Sequence, residues 1–283
     1  MAKRPPSSGT SGRSSFGMSA RHLVLAEFPL RVNPVRLKFS NEPFISNYRW
    51  RPELGTVFTV LDKASGRVVG RARGAPCFGF HHVDAHEADG HLRVDLLAWP
   101  DASIIDALRL ERLRAGEPID AVATLTRFSV PLGGGIGADA RGALPEATRR
   151  TLCGTRIELP RIDERRRRAG LPASVVWGNG LTVPGRFIDD VTRIDLGAVP
   201  PRVATWHEPG CHPGEPVFVP RPGSDVEGDG VLLSLVLDAR ANASFLVALD
   251  ATTLRGIARA TLPHAVPFGF HGEHVPAHAP GSR

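Results

Sequence analysis

Eleven histidines are the side chains of this 283-residue sequence best suited to metal binding. A single histidine is more often an ordinary surface or core residue than a ligand, so its local setting must be considered. Two settings stand out. His81 and His82 follow the apolar run CFGF (77–80), and His271 lies among Phe and Gly residues in PHAVPFGFHG (263–272). An imidazole buried there needs a hydrogen-bond partner or a metal ion.

The side chains of the two adjacent histidines are expected to lie on opposite faces of a strand, since successive side chains on a strand point to opposite faces. Only one of His81 and His82 can therefore face a given cavity. The following DAHEADGH (84–91) predicts a turn, and LRVDLLAWPD (92–101) predicts the returning strand.

Two carboxylates could support a histidine ring from behind. Glu158 lies in RIELPRID (156–163) and Glu215 in PGCHPGEPVFVPRPG (209–223). Residue pattern alone favours turn or edge carboxylates at both positions, because Glu is seldom buried unless it is paired.

The elements that must position these residues are predicted to be strands. Gly (30) and Pro (25) are abundant, which is typical of proteins rich in strands and turns. Three β-rich hairpins, at 56–72, 191–206 and 244–262, turn at Asp62, Asp195 and Asp250, whose carboxylates can accept hydrogen bonds from turn amides. They indicate an all-β fold, either a β-propeller or a large β-sandwich. Only 100–116 predicts a helix, with Asp101 and Gly116 as its caps.

Composition narrows the classes of function. The formal net charge is +6, but the densest basic run, Arg165 to Arg168, directly follows two acidic residues. No nucleic-acid-binding motif accompanies it, so no nucleic-acid partner is expected. Three widely spaced cysteines and the lack of an apolar signal core predict a reducing, cytoplasmic location. No 18-residue apolar run occurs. Residues 1–15, rich in Ser, Gly and Pro, predict a disordered tail.

Several ordered motifs together resemble the carotenoid cleavage oxygenase family, which includes apocarotenoid, lignostilbene and epoxycarotenoid cleaving enzymes and the retinal pigment epithelium isomerase. The resemblance runs from about Phe16 to the end of the chain. The matching segments are FHHVDAHEADGHLRVDLLAWPDASII (80–105), IELPRID (157–163), WHEPGCHPGEPVFVPRPGSDVEGDGVLLSLVLD (206–238) and PHAVPFGFHG (263–272). The resemblance implies a seven-bladed β-propeller that holds a non-haem Fe(II) on its axis through four His, with three Glu behind the His rings.

The resemblance assigns roles to four residues of this sequence. His81 would be the third iron ligand and His271 the fourth. Glu158 and Glu215 would orient His rings as second-shell residues. His82 would face away and bind no metal, and no catalytic residue beyond the iron site is implied.

The departures from the family pattern are equally informative. The position of the second ligand falls on Ser14, and the first ligand and the third Glu belong to a region upstream of this chain. His22 lies too far along its motif to replace the missing ligand. Other departures are Asp84, where the family tends to have Asn, and His86 and His212, where it tends to have an aromatic residue.

The implied activity is that of a dioxygenase that cleaves a C=C bond of a carotenoid, apocarotenoid or stilbene-type substrate with O2 to give carbonyl products. No organic cosubstrate is implied, and peripheral membrane contact is compatible with such apolar substrates. Seven blades of about 40–45 residues each leave no room for long loops in 283 residues. Residues 16–283 are therefore predicted to be the C-terminal part of a propeller whose N-terminal blades are missing.

Two matched ligands out of four predict weak iron binding and impaired cleavage. The alternatives are a non-catalytic remnant, or one half of a split enzyme that needs a complementing N-terminal fragment. A metal-dependent hydrolase is disfavoured, because no His/Asp ligand motif with suitable spacing occurs.

Overall fold

The computed structural model describes residues 10–11, 15–133 and 143–275. In this part of the chain, antiparallel sheets dominate and the helices are short, so the prediction of an all-β fold is confirmed. The chain forms two compact units. Unit 1 runs to Gly154 and includes Arg167–Pro172, and unit 2 consists of Thr155–Arg166 and the chain from Ala173 onward.

The described residues of unit 1 form three antiparallel sheets, with strand orders β1-β4-β5, β2-β3-β6-β7 and β8-β9-β10-β11. The strands are β1 (Thr10–Ser11), β2 (Gly17–Met18), β3 (His22–Glu27), β4 (Leu30–Val32), β5 (Tyr48–Trp50), β6 (Thr56–Asp62), β7 (Val68–Gly74), β8 (His82–Ala88), β9 (His91–Ala98), β10 (Thr124–Pro131) and β11 (Thr148–Cys153). The short strand β1 lies within the predicted tail 1–15, where it pairs with β4.

In unit 2, the part of the chain that the structure describes forms two antiparallel sheets. Strands β12 to β15 pair in chain order, whereas β16 and β17 both pair with β18, which continues to β19 and β20. The strands are β12 (Glu158–Arg161), β13 (Val175–Gly180), β14 (Asp190–Asp195), β15 (Arg202–His207), β16 (Cys211–Pro213), β17 (Val217–Pro220), β18 (Gly230–Asp238), β19 (Ala243–Asp250) and β20 (Gly256–Thr261). The core centres on Trp177, whose ring stacks on Phe218 at 4.7 Å between centroids.

The described α-helices are all short. They are α1 (Pro34–Phe39), α2 (Ser103–Ala107), α3 (Leu110–Arg114) and α4 (Glu164–Arg168), with single 3-10 turns at Phe44–Asn47 and Pro52–Leu54. Among the described residues, no helix has the length and apolar character needed to cross a membrane.

The predicted hairpins are confirmed as β6–β7, β14–β15 and β19–β20. Each turns at the expected Asp. The carboxylate of Asp62 accepts from the Ser65 amide (2.8 Å), Asp195 from Gly197 (3.0 Å), and Asp250 from Thr253 (2.7 Å). These bonds satisfy turn amides that would otherwise lack a partner within the protein.

Two local predictions need correction. The helix predicted over 100–116 is two short helices, α2 and α3, separated at Arg109, whose backbone is extended (φ −63°, ψ 137°). The turn predicted over 84–91 is only Asp89–Gly90, because β8 continues to Ala88. The polar residues of β8 suggested a loop, but Asp84 and His86 are buried within the sheet.

Candidate metal site

The residues at the centre of the candidate site are Glu215 and His271 in unit 2. Nδ1 of His271 lies 2.9 Å from Oε1 of Glu215. A carboxylate oxygen accepts hydrogen bonds, so Nδ1 carries the proton, and a neutral ring then has its lone pair on Nε2. The Glu215 side chain is 5% exposed and the His271 side chain 57% exposed. A buried carboxylate thus holds one side of a ring whose other side is accessible.

The local chain around Glu215 fixes its position. Glu215 follows β16, and the Gly214 amide before it donates to the Leu235 carbonyl of β18 (2.8 Å). The Gly214 carbonyl accepts from the Ser234 hydroxyl (2.8 Å) and from Nδ2 of Asn179 (3.0 Å). Both peptide groups of Gly214 are therefore tied to neighbouring strands, which leaves the Glu215 backbone little freedom.

Glu215 accepts two further hydrogen bonds. The Gly272 amide donates to Oε2 (2.8 Å), and Nη2 of Arg161 donates to the same oxygen (2.9 Å). Burial disfavours the charged Arg161 guanidinium, but its contacts with Glu215 and Glu273 outweigh this effect and raise its pKa. The buried carboxylate therefore has a permanent cation and an amide as partners.

A pocket of about 380 Å³ opens beside His271 within unit 2. Its walls include Leu233, Leu235 and Leu237, which lie at alternate positions on β18, and Leu246 of β19. His271 and Glu215 supply polar groups to a largely apolar cavity. Such a surface suits an apolar ligand whose reacting part is held at the histidine.

Glu158, the other predicted second-shell carboxylate, begins β12 and is half-buried. Its Oε2 accepts from the Leu159 amide at 3.3 Å. Glu158 lies in unit 2 with Glu215 and His271. Its role in orienting a histidine ring stays a prediction.

His81 and His82 lie in unit 1, at the start of β8. The His81 carbonyl accepts from the Leu97 amide (3.2 Å), and its ring is half-buried near Phe80. Nδ1 of His82 lies 2.8 Å from the Ser15 hydroxyl, and its Nε2 has no described hydrogen-bond partner. Burial, with a smaller effect of His81, lowers the pKa of His82 to about 3, so this ring is neutral.

Three of the residues discussed as departures, His22, Asp84 and His86, have structural partners in unit 1. His22 does not stand alone, because its Nδ1 lies 2.6 Å from Oε1 of Glu87. Asp84 and His86 are both buried and lie next to each other, with 3.7 Å between Oδ2 and Nδ1. Ser14, at the position of the second ligand, lies outside the described residues.

These residues fit a metal ion in part. A ligating imidazole usually donates its second nitrogen proton to a carboxylate, as His271 does to Glu215. However, the described ranges contain no group of three or more His, Cys, Asp or Glu that could hold a metal ion. Among the described residues, His271 with Glu215 therefore has the arrangement of a single metal-ligating histidine.

The structure adds two residues that were not predicted, Arg161 and Asn179. Both touch the Glu215 segment from β12 and β13. A signal for Arg161 was present in IELPRID, where it follows Glu158 by three positions across a proline. Nothing in the sequence distinguishes Asn179.

Comparison with known proteins places the chain in a family. The sequence model of the retinal pigment epithelial membrane protein family (RPE65) matches residues 8–276. The chain is 34% identical over 271 residues to carotenoid cleavage dioxygenase 8 homolog A, chloroplastic, of Oryza sativa subsp. japonica, covering 93% of this chain and 47% of that protein. It is 30% identical over 297 residues to the mitochondrial carotenoid-cleaving dioxygenase of Macaca fascicularis, covering 93% and 52%.

Solved structures agree on the fold. An ACO/RPE65 chimera matches with a TM-score of 0.78 at 21% identity, over 94% of this chain and 53% of that chain. The lignostilbene dioxygenase of Pseudomonas brassicacearum matches with a TM-score of 0.75 at 22% identity, over 94% and 55%. The chain thus spans about half the length of the relatives it matches. It belongs to the RPE65 family, the carotenoid oxygenase family that the sequence motifs indicated.

Proposed function

We propose that this chain is part of a non-haem Fe(II) dioxygenase that cleaves a C=C bond of a carotenoid, apocarotenoid or stilbene-type substrate with O2. The observation that carries the proposal is the Glu215–His271 hydrogen bond at the edge of an apolar pocket. The names of the relatives, which include carotenoid-cleaving and lignostilbene dioxygenases, support the substrate class. The proposed fold is a seven-bladed propeller, of which this chain forms part. A longer protein or a complementing N-terminal fragment would supply the other blades.

The family resemblance suggests the roles of the residues, and the contact between Glu215 and His271 supports two of them. His271 and His81 would bind Fe(II), and Glu158 and Glu215 would orient histidine rings. Bound iron would supply the O2 chemistry that converts the double bond into two carbonyl groups. Glu215 keeps the proton on Nδ1 of His271 and so presents Nε2 to the metal. The leucines of β18 would exclude water from an apolar substrate bound in this pocket.

The first test measures Fe(II) affinity by anaerobic calorimetry on the 283-residue chain. Glu215→Gln should lower the affinity roughly 10–100-fold, because a neutral amide oxygen is a weaker acceptor for the imidazole than the carboxylate. His81→Ala and His271→Ala should each abolish the Fe(II) binding that the unmodified chain shows. His264→Ala is the matched control, since His264 is exposed in the same unit. Unchanged iron binding in the His81 and His271 variants would contradict the proposal.

The same calorimetric measurement also tests whether iron binding is impaired in this chain. Two matched histidines fix metal geometry poorly, so we expect weak iron binding and little cleavage by this chain alone. Adding a fragment that carries the other two histidines should raise both. Stoichiometric tight iron with robust turnover of a carotenoid or stilbene would overturn this expectation. No gain on complementation would favour a non-catalytic remnant.

We also propose peripheral membrane contact through unit 1. The helix α1 and the 3-10 turn after it expose Val35 (65%), Phe39 (76%) and Phe44 (61%). Arg36 and Lys38 of α1 place positive charge beside these apolar side chains. Apolar groups flanked by cations suit the interface of an anionic bilayer.

Co-sedimentation with phosphatidylcholine vesicles, with and without phosphatidylglycerol, tests this contact. The double variant Phe39→Ser with Phe44→Ser should lose most binding, and added salt should weaken the component due to phosphatidylglycerol. Val199→Ser is the control, since Val199 is 97% exposed elsewhere. Equal binding of the double variant and the control would refute the proposal.

A further inference from the structure

The strand β12 is irregular between its two functional side chains. Glu158 pairs with Asn179 of β13, but Arg161 pairs with Trp177, so three steps along β12 oppose two along β13. This extra residue is a β-bulge. Asn179 and Trp177 lie two positions apart and share a face, and cross-strand partners point the same way. The bulge therefore brings Glu158 and Arg161 to one face of the sheet, whereas a regular strand would separate them.

The residues inside the bulge are unusual. Leu159 has φ +50°, in the left-handed region that branched side chains rarely adopt. Pro160, which has no amide proton for a sheet hydrogen bond, follows it. Such backbone persists only where the surroundings require it, and here it aims the Arg161 side chain.

Arg161 reaches from β12 to the segment that carries His271. Its Nη2 donates to Oε2 of Glu215 (2.9 Å) and, in a short contact, to the Gly272 carbonyl. Its Nη1 lies 3.5 Å from Oε2 of Glu273. The guanidinium thus links the carboxylate that bonds the His271 ring to the Gly272 carbonyl and to the Glu273 side chain.

The shape of the guanidinium explains why arginine suits this position. It is planar, and its donors have fixed relative directions, so two acceptors bound to it are fixed relative to each other. A lysine ammonium carries the same charge on a flexible stem without this planar geometry. The Arg161 side chain is 19% exposed, so water competes little for its donors.

We propose that Arg161 is a positioning residue that fixes the orientation of the His271 ring through Glu215 and the Gly272 backbone. The proposal rests on the proposed function only in that the oriented ring would serve the metal. The positioning itself is a property of the metal-free chain and can be measured there.

The test uses the metal-free 283-residue chain with histidine labelled by ¹⁵N, and His271→Asn assigns the resonance. Long-range ¹H–¹⁵N correlation reports which ring nitrogen carries the proton. In the wild type, His271 should be a single Nδ1–H tautomer. Arg161→Gln should give a tautomer mixture and about ten-fold faster hydrogen exchange at the Gly272 amide, as expected for loss of a charge-assisted hydrogen bond.

Two further variants complete the experiment. Arg161→Lys keeps the charge and should restore the single tautomer only in part, and it carries the test if Arg161→Gln unfolds. Arg259→Gln is the matched control, because Arg259 pairs with Glu208 elsewhere in unit 2. A wild-type tautomer mixture, or a His271 tautomer and Gly272 exchange rate unchanged by both Arg161 substitutions, would overturn the proposal.

The outcomes separate the two proposals. If Arg161→Gln disturbs His271 but the wild type binds no Fe(II) even with the complementing fragment, the positioning role stands and the proposed function fails. If the wild type binds Fe(II) through His271 but the Arg161 variants leave the ring undisturbed, the positioning role fails and the proposed function stands.

Discussion

At the scale of residues, some members of the candidate site could be identified from the sequence, and others could not. His271 and Glu215 could be singled out because their motifs place them in unusual apolar or Gly/Pro-flanked settings, and the structure brings them into contact. Asn179 could not be predicted, because its importance comes from carbonyl groups more than 30 residues away along the chain. Its amide donates to the carbonyls of Pro213 (3.2 Å) and Gly214 (3.0 Å).

This contact predicts a specific weakness at Asn179, which is fully buried. Asn179→Asp replaces an amide donor with oxygens that face carbonyl oxygens, so the free energy of unfolding should fall by more than about 3 kcal/mol. Asn179→Ala should cost about 1–3 kcal/mol. Urea unfolding measures both. Asn242→Asp, in an exposed turn, is the control and should change stability by less than about 0.5 kcal/mol. A harmless Asn179→Asp would show that these carbonyls do not need the amide.

At the scale of elements, local patterns predicted hairpins well and strand interiors less well. The Asp residues at 62, 195 and 250 fixed their turns because the carboxylate bonds neighbouring amides, which is a purely local effect. The sequence at 84–91 misled because Asp84 and His86 are buried beside each other on β8, and Glu87 bonds His22. The bulge in β12 likewise depends on what β13 and the Glu215 segment offer, and only its proline hints at it.

Because β17 packs closely against β18, we expect a small substitution between these two strands to destabilise the protein. A Cβ added at Gly230 would overlap the Val219 carbonyl oxygen and lie 2.9 Å from the Phe218 ring. Gly230→Ala should therefore displace β17 and disturb the stacking of Phe218 on Trp177, with a loss of about 1–3 kcal/mol in unfolding free energy. Urea unfolding followed by tryptophan fluorescence would show it.

The control for this prediction is in the same sheet. A Cβ at Gly256, the first residue of β20, would meet no atom within 4 Å, so Gly256→Ala should be neutral or slightly stabilising. If the two alanine variants were equally stable, β17 would be free to shift without loss of packing.

At the scale of the whole molecule, the family model matches most of the chain, and the chain spans about half the length of the relatives it matches. The stability of the chain depends on pH, because some of its carboxyl groups have raised pKa values and others have lowered ones. Burial raises the pKa of Asp95, partly offset by its hydrogen bonds to Arg127. Asp163 and Glu87 behave oppositely, since their hydrogen bonds outweigh burial and lower their pKa values.

Asp163 allows a direct test of whether hydrogen bonds outweigh burial in setting the pKa of a carboxyl group. It is 1% exposed, and burial alone would raise its pKa, but hydrogen bonds from the Arg165 side chain and amide and from the Gly228 amide lower it. A carboxyl with a lowered folded pKa stabilises the protein above its unfolded pKa of about 3.9, and this contribution is lost as the pH falls through the folded value.

Asp163→Asn should therefore reduce the free energy of unfolding by about 1–3 kcal/mol at pH 7, and the gap to the wild type should narrow below about pH 4. Urea titrations at pH 7, 5 and 3 measure the gap. Asp120→Asn, at an exposed position, serves as the control and should differ little from the wild type at pH 7. A gap that stayed constant from pH 7 to pH 3 would mean that the ionised carboxylate contributes nothing to stability, and that shape alone places Asp163 against Arg165.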